Sequence, residues 1–214
     1  MSIEVKICGL DRAESVDTAV SFGADYVGFV FYPPSPRNLS AADAAPLIAR
    51  VPETVSRVGL FVDPTDAEIE AVLENSELDL IQLHGAETPA RLQEIKQLTS
   101  LPTMKVIKLA SQDDLAGAVE YYDSADRLLF DAKPPTEMTN ALPGGNALVF
   151  DWELLRDAKI PLPWMLAGGL TSENLAEAVA ISGAIAIDVS SGVEDSPGVK
   201  NLTRIEEFLT AAKS

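Results

Sequence analysis

Eight short apolar runs alternate with amphipathic helical stretches along the whole chain, and few folds accept that order. The runs are Glu4–Cys8, Tyr26–Phe31, Val55–Val62, Leu78–Leu83, Thr103–Leu109, Arg127–Asp131, Trp164–Ala167 and Ala184–Asp188. Tyr26–Phe31 is almost continuously apolar, as a strand buried on both faces requires. The stretches between them carry helical spacing. In Asp11–Phe22, Ala13, Val16, Ala19 and Val20 recur on one side, and Gly23 ends the pattern. Ser40 is placed to cap a second helix, and Pro89 suits the first turn of Thr88–Leu98. In Thr65–Asn75, Ile69, Val72 and Leu73 face inward; Gln112–Glu120 is also helical. Phe150–Asp157 reads as a short helix, Thr171–Ile181 as one capped by Thr171 or Ser172, and Asn201–Ala212 as the last. A long Pro- and Gly-rich stretch, Ala132–Leu148, interrupts the alternation. Strand, helix, strand, helix in this sequence predicts an α/β fold, a single-domain (β/α)8 TIM barrel over residues 1–214. An open doubly wound sheet is the structural rival, but no Gly-x-Gly-x-x-Gly follows the first strand.

Barrels of this kind keep their chemistry at the C-terminal ends of the strands. Side chains alternate along a strand, so parity says which of them point into the barrel. Val5 and Ile7 share the helix-facing side of the first strand; Glu4, Lys6 and Cys8 share the other. Ile81 and Leu83 turn Gln82 and His84 inward, Leu128 and Phe130 turn Asp131 inward, and Ile185 and Ile187 turn Asp188 inward. Cys8 beside Lys6 is a candidate acid or base, because a nearby cation favours thiolate; a small buried cysteine is the plain alternative. Asp131 is a candidate acid, or else a cap or an ion-pair partner of Lys133. His84 reads more simply as a hydrogen-bonded structural histidine. Arg37 sits in a loop stiffened by Pro33, Pro34 and Pro36, where a guanidinium suits a carboxylate. The acidic residues of Asp63-Pro64 and Glu194-Asp195 read as solvated loop groups. Gly168-Gly169 after the seventh strand and Ser190-Ser191-Gly192 after the eighth form a candidate phosphate cradle, with glycines giving access to backbone N–H groups and serines adding hydroxyls.

Composition narrows the partners. A formal net charge of −17 argues against nucleic acid and anionic membranes. The single cysteine forbids an internal disulfide and the single histidine forbids a multi-histidine metal centre, so no metal site is expected; a carboxylate magnesium site is left open. No run approaches the ~20 apolar residues of a spanning helix, and no signal-peptide pattern opens the sequence. A cytoplasmic location and a monomer are expected.

Taken together, several motifs resemble one family. They are Lys6-Ile7-Cys8-Gly9, Gly28-Phe29-Val30-Phe31 with Ser35-Pro36-Arg37, Gln82-Leu83-His84-Gly85, Phe130-Asp131, Phe150-Asp151-Trp152, Leu166-Ala167-Gly168-Gly169-Leu170 and Asp188-Val189-Ser190-Ser191-Gly192-Val193-Glu194. In this order over nearly the whole chain, they resemble phosphoribosylanthranilate isomerase. The resemblance implies a cofactor-free enzyme of tryptophan biosynthesis acting on a small phosphoribosyl substrate by an Amadori rearrangement. It implies Cys8 as general base, Asp131 as general acid, Arg37 on the anthranilate part, Gly168, Gly169, Ser190 and Ser191 on phosphate, and His84 and Asp188 lining the site. Gly144-Gly145-Asn146-Ala147 departs from a common family form, with alanine where a further glycine is frequent. The sister isomerase of histidine biosynthesis looks to use an aspartate where this chain has Cys8. A ribulose-phosphate epimerase would need two histidines at its metal. A non-catalytic sugar-phosphate-binding barrel is the alternative from another class.

Overall fold

In a computed structural model describing residues 3–135 and 142–214, the strands close into a parallel barrel. The strands are β1 (Glu4–Cys8), β2 (Tyr26–Phe31), β3 (Ser56–Phe61), β4 (Leu80–Leu83), β5 (Thr103–Leu109), β6 (Arg127–Ala132), β7 (Trp164–Leu166) and β8 (Ala186–Val189). Each pairs with the next, and β8 returns to β1 with Lys6 opposite Asp188. The open-sheet alternative is thereby removed.

Helices α1 (Ala13–Ser21), α2 (Ala41–Ile48), α3 (Asp66–Leu73), α4 (Pro89–Thr99), α5 (Gln112–Gly117), α6 (Leu175–Ser182) and α7 (Leu202–Lys213) surround it. Their starts are locally determined. Ser40, Thr65, Thr88 and Asn201 each accept a backbone N–H three residues on, and Thr65 and Glu68 form a reciprocal capping box. Among the described residues between β6 and β7, the helical stretch expected over Phe150–Asp157 is a 3₁₀ turn, Trp152–Leu155. Asp151 caps that turn, and Asp157 leaves it with a left-handed φ of 60°. The expected cap of α6 is also corrected. Asn174 precedes that helix, and its amide binds Gly169 O and Thr171 N, tying the glycine turn to the helix start.

Two apolar layers follow from strand parity. Outward-facing Val5, Ile7, Val27, Phe29, Ile81, Leu83, Leu128, Phe130 and Ile187 pack against the helices. Inward-facing Tyr26, Val58, Leu80, Met104, Leu129, Met165 and Ala186 fill the N-terminal end of the barrel. Fully burying one such aliphatic or aromatic side chain contributes about 1.5–3 kcal/mol, so the lower barrel is a packed plug, with the polar inward positions above it. Among the described residues, no helix is long and apolar enough to cross a membrane.

Candidate active site

Above the plug, the inward positions change from apolar to polar. Cys8, Gln82, His84, Asp131 and Asp188 surround one cavity together with Arg37, Gly168, Gly169, Ser190 and Ser191. All the site residues named from the sequence are thus brought to one mouth. The cavity is partly open to solvent at the C-terminal end of the barrel. Residues 142–149 fold over one side, with Gly144 against His84 and Asp131. There Ala147, standing where glycine is frequent in the resembled family, takes a left-handed φ of 55°. Part of the Ala132–Leu148 stretch, residues 136–141, lies outside the described residues.

Cys8 sits at the top of β1 with its thiol buried. Beneath it lies Lys6, fully buried and donating to Asp188 Oδ1 at 2.9 Å. Gly28 makes room for this arrangement, since a Cβ there would stand 3.0 Å from Cys8 Sγ and 3.1 Å from Lys6 Nζ. Burial pushes the Cys8 thiol up; Lys6 pulls it down, and Asp188 pushes it up again, for a net rise. The expectation that Lys6 favours thiolate is right in sign but not large enough to win. Burial also pulls the Lys6 ammonium down, but Asp188 and Cys8 outweigh it and hold it above its ordinary value.

Asp131 does not pair with Lys133, which reaches Asp114 at 2.6 Å instead. One Asp131 oxygen accepts the N–H of Ala132 at 2.8 Å. The other stands 3.4 Å from His84 Nε2, close enough for an ionic contact but not aligned as a hydrogen bond, so that Nε2 has no hydrogen-bond partner among the described residues. Beside it on β5 is Lys108, in register with Asp131 and half-buried. Burial lowers the Lys108 ammonium, opposed by Asp131. Strand parity was enough to find Lys108, because Ile107 and Leu109 face the helices.

The largest correction concerns Glu194. Read as a solvated loop acid, it is 4% exposed. It accepts Arg37 Nε at 2.8 Å and Arg37 Nη2 at 2.7 Å in a two-point fork. Lys200 donates to the same carboxylate at 2.6 Å and to Ser190 O at 2.9 Å. Glu194 begins a hairpin of β9 (Glu194–Ser196) and β10 (Val199–Lys200). Burial would raise its carboxyl, but Arg37 and Lys200 outweigh burial and hold it below the usual range. Arg37, 4% exposed, is therefore no surface arginine. Sequence reasoning missed Glu194 and Lys200 because nothing local marks a hairpin of two and three residues; the tertiary fold alone buries them.

After β7, Gly168 and Gly169 have φ of 89° and 61°, left-handed values that a side chain would strain. Neither Gly169 nor Ser190 spends its N–H on another described residue. Lys200 also donates to Ser190 Oγ at 3.2 Å, leaving the hydroxyl proton free to point at an anion.

The family model described as N-(5'phosphoribosyl)anthranilate (PRA) isomerase matches residues 5–211. The chain belongs to the phosphoribosylanthranilate isomerase family. A relative so named from Paramagnetospirillum magneticum is 54% identical over 213 residues, covering 100% of this chain and 98% of its own. Another, from Parvibaculum lavamentivorans, is 55% identical over 213 residues, covering 100% and 99%. Among solved structures, the phosphoribosyl anthranilate isomerase of Thermotoga maritima superposes with a TM-score of 0.87 at 34% identity, covering 99% of this chain and 98% of that one. A phosphoribosyl anthranilate isomerase in complex with reduced 1-(o-carboxyphenylamino)-1-deoxyribulose 5-phosphate aligns at TM-score 0.83 and 34% identity, covering 99% and 98%. The chain is an isomerase of tryptophan biosynthesis.

Proposed function

We propose that the barrel mouth converts N-(5-phosphoribosyl)anthranilate to 1-(2-carboxyphenylamino)-1-deoxyribulose 5-phosphate, with Cys8 as general base and Asp131 as general acid. The observation that carries this reading is that Cys8 and Asp131, from strands far apart in sequence, open on one cavity that Arg37, Gly168, Gly169, Ser190 and Ser191 also line. Asp131 gives its proton to the furanose ring oxygen. The bond from that oxygen to C1 breaks, the anilino nitrogen supplies the electron pair, and a Schiff base with a free C4 hydroxyl results. The Cys8 thiolate then removes the proton on C2. The electrons move toward nitrogen, and the enolamine tautomerises to the C2 ketone. No atom is gained or lost.

Substrate placement follows from the anchors. Arg37 has Nε and Nη2 committed to Glu194, so its Nη1 edge is the one left for the anthranilate carboxylate. Val30 and Leu60 with Tyr32 and Val62 form an apolar wall beside Cys8 for the aromatic ring. The backbone of Gly168, Gly169, Ser190 and Ser191 receives the phosphate, and His84 and Asp188 line the space between. No group beyond these side chains is required by the steps, and no cofactor is proposed.

The test is turnover of freshly generated phosphoribosylanthranilate followed by anthranilate fluorescence. The reading requires conversion by the wild type; a folded chain that binds the reduced product analogue without turning over substrate would reduce the barrel to a binding protein. Gly169→Val should raise KM by blocking the phosphate, and unchanged affinity for a phosphorylated product analogue would count against that placement. A monomer in the cytoplasm is proposed as well. A structural relative from Thermotoga maritima is described as dimeric, so a concentration-independent dimer in sedimentation would overturn the monomer.

A further inference from the structure

Buried polar atoms nearly always find a partner, and an orphan in a cavity wall marks where a ligand or water is meant to go. Two orphans belong to residues that line this mouth, one on β4 and one directly after it. Gln82, 1% exposed, leaves its amide oxygen without a hydrogen bond among the described residues. His84, 5% exposed and two positions on, leaves Nε2 likewise unpaired. Parity aims both side chains at the same cavity. The other orphans, Asp11 Oδ1 and Trp152 Nε1, belong to residues that do not line it.

The chemistry of the pair selects its ligand. An amide oxygen accepts, so the missing partner must donate. A phosphate or carboxylate cannot serve, because neither ionised group has a proton to give. An apolar ring cannot serve either, and the apolar wall lies elsewhere, on β2 and β3. The substrate's donors are the anilino N–H and the sugar hydroxyls; the anilino group goes with its ring to the wall on β2 and β3, which leaves the sugar hydroxyls for β4. His84 Nε2 stands 3.4 Å from Asp131 Oδ2, which places it next to the oxygen that Asp131 protonates in the proposed reaction. In the closed ring that oxygen carries no hydrogen. After opening it is a hydroxyl and can donate.

We propose that Gln82 and His84 form a hydroxyl-binding subsite for the ring-opened sugar, with Gln82 Oε1 and Nε2 of His84 as acceptors or partners of the C3 and C4 hydroxyls. This inference rests on the isomerase reading above. It makes Gln82 a substrate-contacting residue and gives His84 a role beyond lining. The C4 hydroxyl exists only after ring opening, so a contact to it favours the opened state over the closed one and acts on the rate as well as on binding.

The test uses the sign of a stability change. Gln82→Met keeps the volume and deletes an unpaired amide. A structural glutamine would lower Tm when removed; an unsatisfied one leaves Tm unchanged or raises it. The expected result is an unchanged or higher Tm, with kcat/KM lower by about 10-fold and a dissociation constant for the reduced, open-chain product analogue higher by about 10-fold. An analogue lacking the C3 hydroxyl should bind wild type and variant equally. A lower Tm with unchanged affinity would overturn the proposal, since the amide would then hold structure or a fixed water. So would unchanged kcat/KM and affinity at any Tm. If the methionine variant does not fold, Gln82→Leu enters the same comparison with the same outcomes. A wild type that binds the analogue but does not turn over substrate would remove the isomerase reading alone, and the affinity comparison would still decide the subsite.

Discussion

The two ends of the barrel interior are built from the same strands, at the same parity and with similar burial, yet they have opposite chemistry. At the N-terminal end, Tyr26, Val58, Leu80, Met104, Leu129, Met165 and Ala186 form a dry plug. At the C-terminal end, Cys8, Gln82, His84, Asp131 and Asp188 are no more than 8% exposed but carry ionisable or hydrogen-bonding groups, two of them with orphaned atoms. The plug gains free energy by leaving water. The mouth gives some of it back in desolvation. Burial alone therefore does not separate stability from function; burial combined with polarity and with unmet hydrogen bonds does.

If that division is right, substitutions at the two ends should fail differently. The largest effect belongs to Asp131→Asn, which keeps the shape and removes the proton. Turnover should fall by roughly 10²–10⁴-fold while the melting temperature hardly moves, and a ring-opened substrate analogue should restore much of the rate. At the plug, Leu129→Ala should cost about 2–5 kcal/mol of stability, with the rate per folded molecule retained. Equal activity loss at both ends, measured by denaturant titration beside steady-state kinetics, would erase the contrast.

Lys6 lies where the two ends meet, and its removal should affect both. Lys6→Met leaves Asp188 buried without its cation, a change of the kind that costs about 3–5 kcal/mol. It also removes the charge that pulls the Cys8 thiol down. The sign for activity follows directly. The base must be thiolate, burial holds the thiol above its ordinary value, and so kcat/KM should climb as pH rises through that ionisation. Without Lys6 the rising limb should move to still higher pH. A profile that falls over the same range, or a limb that stays put in the variant, would contradict Cys8 as the titrating base.

The smallest effect concerns the rim. Glu194→Gln weakens the fork that orients Arg37, so KM should rise about 10-fold with kcat less affected, since a hydrogen bond to a charged group contributes about 1.5–3 kcal/mol. Binding of inorganic phosphate at Gly168, Gly169, Ser190 and Ser191, read by competition, should change less. Equal loss of both would mean that Lys200, which touches Glu194 and Ser190, couples the two anchors into one unit.

Much of this arrangement was legible before any coordinates. The alternation of apolar runs and helical spacing specified a barrel, and period-two parity placed Gln82, His84, Asp131 and Asp188 inside it. Those signals are local, because a strand's pleat is fixed by its own residues. What escaped was non-local. Glu194 looks like any loop acid until the hairpin after β8 brings it under Arg37. Likewise, the balance at Cys8 depends on how deeply the thiol is buried, which the neighbouring lysine does not reveal. The 3₁₀ turn replacing a helix before β7 came down to capping and a left-handed aspartate, where propensity favours neither outcome strongly.

The most direct test of the whole account is turnover of phosphoribosylanthranilate by Cys8→Ala at saturating substrate, with bound reduced product analogue confirming an intact mouth. The account predicts a rate lower by roughly 10²-fold or more with nearly unchanged analogue affinity. Full activity in that variant would contradict it, removing the thiolate base while leaving the barrel and its anion sites in place.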